Sequence, residues 1–123
     1  MEVVYTPNAP EAIGPYSQAM KVGNLVFTSG QIPINPATGA VEAVTIEAQT
    51  EQVCKNIAAV LEAAGSSLEK VVKTVCFLSN MDNFAAFNNV YSKYFTGKPA
   101  RSCVAVRTLP KNALVEVDTV AEI

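Results

Sequence analysis

Between Ile46 and Ala64 the apolar residues Ile46, Val53, Ile57, Val60, Leu61 and Ala64 fall on one face of a helix, with polar residues between them. Thr45 is the expected N-cap and Gly65 the stop. A second segment keeps the helical period with aromatic residues. Phe84, Phe87, Asn88, Tyr91, Tyr94 and Phe95 recur after Asp82, the expected N-cap, and predict a helix over about 83–95. The aromatic stripe reads as core. Asn88 lies on it and needs a hydrogen bond there, for which the backbone is the expected partner and a ligand contact the other reading.

Elsewhere the pattern alternates. MKVGNLVFTSG at 20–30 holds two β-prone runs around Gly23-Asn24 and predicts strands near 17–22 and 25–29 joined by a tight turn. VVKTVCFLS at 71–79 is β-branched and reads as an internal strand. The last stretch, RSCVAVRTLPKNALVEVDTVAEI, reads as two strands joined by a turn around Pro110 and Asn112. AIGPYSQ at 12–18 and QIPINPATGA at 31–40 read as loops. No repeat, low-complexity tract or linker interrupts the 123 residues, so a single domain over 1–123 is expected.

The phase of the last two strands carries a further expectation. Side chains alternate faces, which groups Ser102, Val104 and Val106 against Arg101, Cys103, Ala105 and Arg107. Val115 and Val117 likewise oppose Glu116 and Asp118. If the valine faces share one core, Arg101, Cys103, Ala105, Glu116 and Asp118 share the opposite face. That face is too apolar for an ordinary surface and too charged for a sealed core. Two readings fit it: a subunit interface enclosing a wet, polar pocket, or an exposed face where Arg101 makes a cross-strand ion pair.

Composition narrows the chemistry. Half the residues are hydrophobic and 16% are charged, enough for a folded core. MEVVYTPN has neither a basic start nor a hydrophobic signal region, and no apolar run reaches membrane-spanning length, so the cytoplasm is the expected location. A net charge of −2 gives no general attraction to nucleic acid or anionic membrane. Cys54, Cys76 and Cys103 are odd in number and lack CxxC spacing, which predicts reduced thiols; Cys54 and Cys76 read as core. The chain has no histidine, which excludes Ser-His-Asp, Cys-His and HExxH chemistry. It also lacks GxGxxG and GxxxxGK[ST] phosphate loops.

PARSCVAV, followed by LP at 109–110 and VEV at 115–117, resembles the C-terminal signature of the Rid (YjgF) family of enamine/imine deaminases. AIGPYSQA, FTSGQIP, NIAAVLEAAGSSLEKVVK and MDNFAAFNNVYSKYF resemble the family in the same order, so the likeness covers essentially the whole chain. Val117 stands where the family more usually has Ile or Met. The resemblance implies an α+β fold similar to the trimeric chorismate mutases: a mixed sheet, two helices on one face, three sheets packed into a barrel and sites in clefts between subunits. It also implies cofactor-independent hydrolysis of 2-imino acids to 2-keto acids and ammonia, supplied by pyridoxal-phosphate enzymes acting on serine or threonine.

By the same likeness Arg101 binds the substrate carboxylate through a planar, two-bonded fork. Glu116 positions or partly deprotonates the attacking water. The Cys103 main-chain carbonyl accepts from the imine nitrogen, with its thiol as the other reading. Tyr16, Ser29 and Gly30 complete the cleft: Tyr16 as wall and donor, Gly30 through its amide, Ser29 either as a contact or as a hydroxyl ending the strand. No metal or cofactor is implied, because positioning and electrostatics carry the step. Two other functions stand beside this one. A trimeric module that binds small carboxylates without turnover is one. An RNA-binding translation inhibitor or ribonuclease is the other, and the acidic, histidine-free composition weighs against it.

Overall fold

A computed structural model describes residues 1–123. A six-stranded mixed sheet carries two helices on one face. Its strands are β1 (Glu2–Val4), β2 (Ala19–Val22), β3 (Leu25–Thr28), β6 (Val71–Leu78), β7 (Ala100–Ala105) and β8 (Val115–Glu122), in the order β1-β2-β3-β8-β6-β7. All neighbours are antiparallel except β6 and β7, which run parallel across an intervening helix. A small hairpin of β4 (Ile34–Asn35) and β5 (Ala40–Val41) lies within the expected 31–40 loop and its exit. The three-residue β1 is too short to show a period in the sequence and is an addition to the expected strands.

Helix α1 (Ile46–Ala63) forms as expected: the Thr45 hydroxyl accepts from the Ala48 N–H at 3.1 Å, and the chain turns away at Gly65. Its stripe of Val53, Ile57, Val60 and Leu61 is fully buried against the sheet. The hairpin between β2 and β3 also holds, with Gly23 at φ +58, a left-handed angle that glycine adopts without strain. Helix α2 (Phe84–Tyr94) starts differently from expectation. Asp82 does not cap it. Asn80 instead accepts from the Asp82 N–H at 2.8 Å, and a 3-10 turn at Met81–Asn83 leads into the helix. The core reading of the aromatic stripe holds, with Phe87, Tyr91 and Phe95 buried, as it does for Cys54 and Cys76.

The expected phase of the last strands does not survive. β7 and β8 are not neighbours; β6 lies between them. Cys103 pairs with Cys76, and Cys76 with Val117, so Arg101, Cys103 and Ala105 lie on the helix-covered face with Val115 and Val117. Ser102 and Val104 lie on the open face with Asp118 and Glu116. A valine core shared by the two strands is therefore a wrong premise: β7 is an edge strand, and Val104 is 48% exposed. The cross-strand ion-pair reading for Arg101 goes with it, since the one ion pair joins Lys21 to Glu2 at 3.9 Å.

The open face remains semi-polar. Met20, Phe27, Val75, Phe77, Val104 and Val120 share it with Glu116 and Asp118. Two buried amides of α1 pin the loops beside it. Asn56 donates to the Ile32 and Ile34 carbonyls at 3.1 and 2.9 Å, and Gln49 accepts from the Leu114 N–H at 2.8 Å. No helix is long and apolar enough to cross a membrane.

Candidate functional site

Arg101 is half-buried on the helix side of edge strand β7. Its guanidinium carbon lies 4.8 Å from the Tyr91 ring centroid and 5.4 Å from that of Phe84, both on α2. Such stacking fixes the plane of the group by cation–π attraction. Tyr91 is fixed in turn by a 2.8 Å hydrogen bond between its hydroxyl and that of Thr74. The third partner is Asn88, whose Oδ1 accepts from Arg101 Nη1 at 2.8 Å. Asn88 is thus satisfied by a side chain rather than by the backbone. The sequence signal is there: helical spacing puts Asn88 on the same stripe as Phe84 and Tyr91. Its partner, however, stands 13 residues on, in a strand whose face alternation alone misassigns.

Cys103 follows on the same face, packed against the core. The Val106 N–H donates to the Leu78 carbonyl. Along a parallel ladder alternate residues turn both backbone groups to the same neighbour. Arg101, Cys103 and Ala105 therefore aim their N–H and C=O groups at the free edge of β7. Burial raises the Cys103 thiol and Arg101 opposes this, with the net direction upward. The thiol is thus mostly protonated near neutral pH, unlike an activated nucleophile.

The other expected residues meet elsewhere. Tyr16, Ser29, Gly30 and Glu116 line a cleft of about 490 Å³ together with Ile13, Ile32 and Pro110. The Ser29 hydroxyl donates to the Ser17 carbonyl at 2.6 Å, so it ties the 12–18 loop to the end of β3. The Tyr16 hydroxyl accepts from the Ile13 N–H at 3.4 Å, and its ring is about half exposed. Gly30 lies so close to Glu116 that a Cβ there would sit 2.8 Å from its carboxyl carbon. Burial first, then the like charge of Asp118, pushes Glu116 above the ordinary carboxylate range. Burial raises Asp118 as well. Three non-glycine residues adopt left-handed backbone: Lys98 at φ 52, Lys111 at φ 56 and Asn112 at φ 54. All three flank these two regions, where stored strain tends to concentrate.

Within one chain the two groups face apart. Glu116 pairs with Phe77 and projects from the open face of β8; Arg101 pairs with Thr74 and projects from the helix face of β7. The strands are two places apart, about 10 Å at ordinary sheet spacing. Arg101 is further held against α2. One small substrate cannot bridge both within a single copy.

Residues 6–123 match the endoribonuclease L-PSP family. The chain belongs to this family, the Rid or YjgF proteins. A RutC family protein of Pyrococcus horikoshii is 52% identical, over 98% of this chain and 96% of its own. Among solved structures, the Rid family protein YyfA of Yersinia pestis is 51% identical with a TM-score of 0.96, covering 99% of this chain and 98% of its own. Escherichia coli TdcF, solved with bound serine, is 37% identical with a TM-score of 0.95, covering 100% of this chain and 99% of its own. The Rid assignment accords with the fold described above, a mixed sheet with two helices on one face.

In this Rid protein the residues expected from the likeness lie in two separate places. Tyr16, Ser29, Gly30 and Glu116 share one cleft, while Arg101 and the Cys103 backbone sit at the β7 edge with Asn88.

Proposed function

We propose that this Rid protein is a cofactor-independent deaminase. It hydrolyses 2-imino acids such as 2-iminopropanoate and 2-iminobutanoate at sites completed between copies of the chain in a homotrimer. The observation that carries the reading is Arg101: a half-buried guanidinium stacked on two rings, bonded to a neutral amide and without any acidic partner. A fixed cation lacking a counter-charge is suited to an incoming carboxylate. TdcF, the relative with bound serine, holds an α-amino acid, which carries a carboxylate and nitrogen on adjacent atoms as the proposed substrates do.

The two regions on opposite faces support a site built from two chains, one supplying Arg101 and the Cys103 carbonyl, the other supplying Tyr16, Gly30 and Glu116. The large hydrophobic residues exposed on the semi-polar open face, among them Phe27 and Val104, support burial of that face in a trimer. In the composite site Arg101 anchors the carboxylate, and the Cys103 carbonyl accepts from the protonated imine nitrogen. Glu116 takes a proton as water adds to C2 and breaks the C=N double bond. It returns that proton to nitrogen, the C–N bond breaks, and the departing ammonia takes the hydroxyl proton as C=O forms, giving the 2-keto acid and ammonium. Its raised affinity for protons suits a group that both removes and returns one. Three free cysteines accord with a reducing compartment, and we assign the protein to the cytoplasm.

The test couples 2-iminobutanoate production, from threonine and a dehydratase, to detection of 2-ketobutyrate. Wild type should accelerate hydrolysis, while assembled Arg101→Ala and Glu116→Ala should not. Refolding the two inactive variants together should restore activity, because roughly a quarter of randomly mixed interfaces pair an intact Arg101 with an intact Glu116. Acceleration without such complementation overturns the shared site. Binding of 2-ketobutyrate with no acceleration overturns the enzyme and leaves a carboxylate-binding module.

A further inference from the structure

The side chains that stack on or bond the Arg101 guanidinium are uncharged, and Lys98, which lines the same cleft, is a cation like it. Phe84 and Tyr91 stack on the guanidinium, and Asn88 accepts from Nη1 at 2.8 Å. Thr74 supports the Tyr91 hydroxyl. The two thiols and the tyrosine hydroxyl nearest the guanidinium stay neutral near pH 7 as well. Burial pushes the Cys76 thiol up to about 12 and raises both Cys103 and the Tyr91 hydroxyl. No aspartate or glutamate lies within ion-pair distance of Arg101. A partly buried arginine that served only to hold the fold would ordinarily be paired with a carboxylate. Here the position best placed to hold it, one turn from both stacking rings on α2, carries the amide isostere of aspartate.

We infer that Asn88 is a positioning residue selected for its neutrality: it aims the guanidinium at the substrate carboxylate without neutralising it. This rests on the carboxylate-anchor reading of Arg101. One Nη1 hydrogen is held by Asn88, while the rest of the fork remains for the ligand. An aspartate in its place would make the same contact, and a stronger one, but would occupy the guanidinium as an internal counter-ion. It would also set a like charge near the incoming carboxylate. If the residue is needed only as an acceptor, Asn88→Asp should be better tolerated than Asn88→Ala; if it is needed as a neutral acceptor, it should not. The two roles therefore predict opposite rank orders.

The experiment is calorimetric titration of the assembled protein with 2-ketobutyrate, alongside thermal unfolding of each variant. Arg101→Ala should abolish binding; binding at wild-type strength in that variant removes the anchor reading itself and this inference with it. With the anchor established, Asn88→Ala should weaken binding about tenfold, as expected for loss of one hydrogen bond to a charged group. Asn88→Asp should weaken it about a hundredfold, the Coulomb penalty of a like charge roughly 6 Å away at an effective dielectric near 20. Its melting temperature should nevertheless equal or exceed that of Asn88→Ala. Should Asn88→Asp fail to assemble, the uncharged and shape-matched Asn88→Leu serves instead, with an expected loss of about tenfold. Asn88→Asp binding as tightly as Asn88→Ala, or Asn88→Leu binding like wild type, overturns the inference.

Discussion

Replacing Gly30 with alanine tests the proposed catalytic cleft without substituting either charged residue. The added Cβ would stand 2.8 Å from the Glu116 carboxyl carbon and 3.1 Å from its Cγ, where ordinary contact begins at 3.4 Å. Restoring that contact moves the carboxyl carbon by about 0.6 Å, and its near oxygen further. Only the end of a flexible side chain has to yield, so the fold should persist, with a melting temperature within about 3 °C of wild type. The carboxylate, however, leaves its place beside the reacting carbon. A misplacement of about 1 Å can cost about a hundredfold in rate, so kcat for 2-iminobutanoate hydrolysis should fall about 10- to 100-fold. KM should change little, because the anchoring arginine belongs to the other half of the site. The assay is the coupled imine hydrolysis, repeated in a Glu116→Ala background, where Gly30→Ala should cause no further loss. Unchanged kcat in Gly30→Ala, or an equal loss with Glu116 already absent, would refute this account of why position 30 lacks a side chain.

Three further outcomes are expected. Arg101→Lys keeps the charge but loses the fork and the stacking on Phe84 and Tyr91, so kcat/KM should fall about 10- to 100-fold, mainly through KM; a wild-type value would contradict bidentate anchoring. Glu116 holds its proton more tightly folded than unfolded, so its contribution to stability is full below the ordinary 4.5 and is lost as pH rises through the raised folded value. Glu116→Gln should therefore melt higher than wild type at pH 7, with the gap closing near pH 4; a gap that widens on acidification would reverse the sign. Asn56→Ala removes the buried amide that bonds the Ile32 and Ile34 carbonyls, leaving Ile32 its bond from the Ile34 N–H, and should cost about 1 to 3 kcal/mol in urea unfolding. A loss below about 0.5 kcal/mol would show that solvent reaches them.

Local periodicity carries most of the architecture. The stripe of α1, its Thr45 cap, the Gly23 turn and the β-branched run of β6 are decided by neighbours a few residues away, and each forms where expected. What fails is a choice of partner. β7 and β8 are consecutive strands joined by a turn-like Pro110-Lys111-Asn112, and alternation within each strand says nothing about which neighbour it joins. Inserting β6 between them reverses the face of Arg101 relative to Glu116. The valines of β7 mislead because an edge strand exposes what a central strand would bury. The residue types of the proposed site come from a family likeness, whereas their division into two regions and the contact of Asn88 with Arg101 require long-range register.

The two regions also differ in how much chain they need. Thr74, Phe84, Asn88, Tyr91 and Arg101 all lie within β6, α2 and the start of β7, one uninterrupted βαβ segment. The opposing cleft joins Tyr16 to Glu116 and so draws on nearly the whole chain. The proposed anion grip is therefore a portable module. Loops around Tyr16 and Pro110 can be remodelled for a new side chain while the grip is inherited intact, and the segment from Val71 to Ala105 is the natural piece to transplant when a carboxylate receptor is built on another sheet.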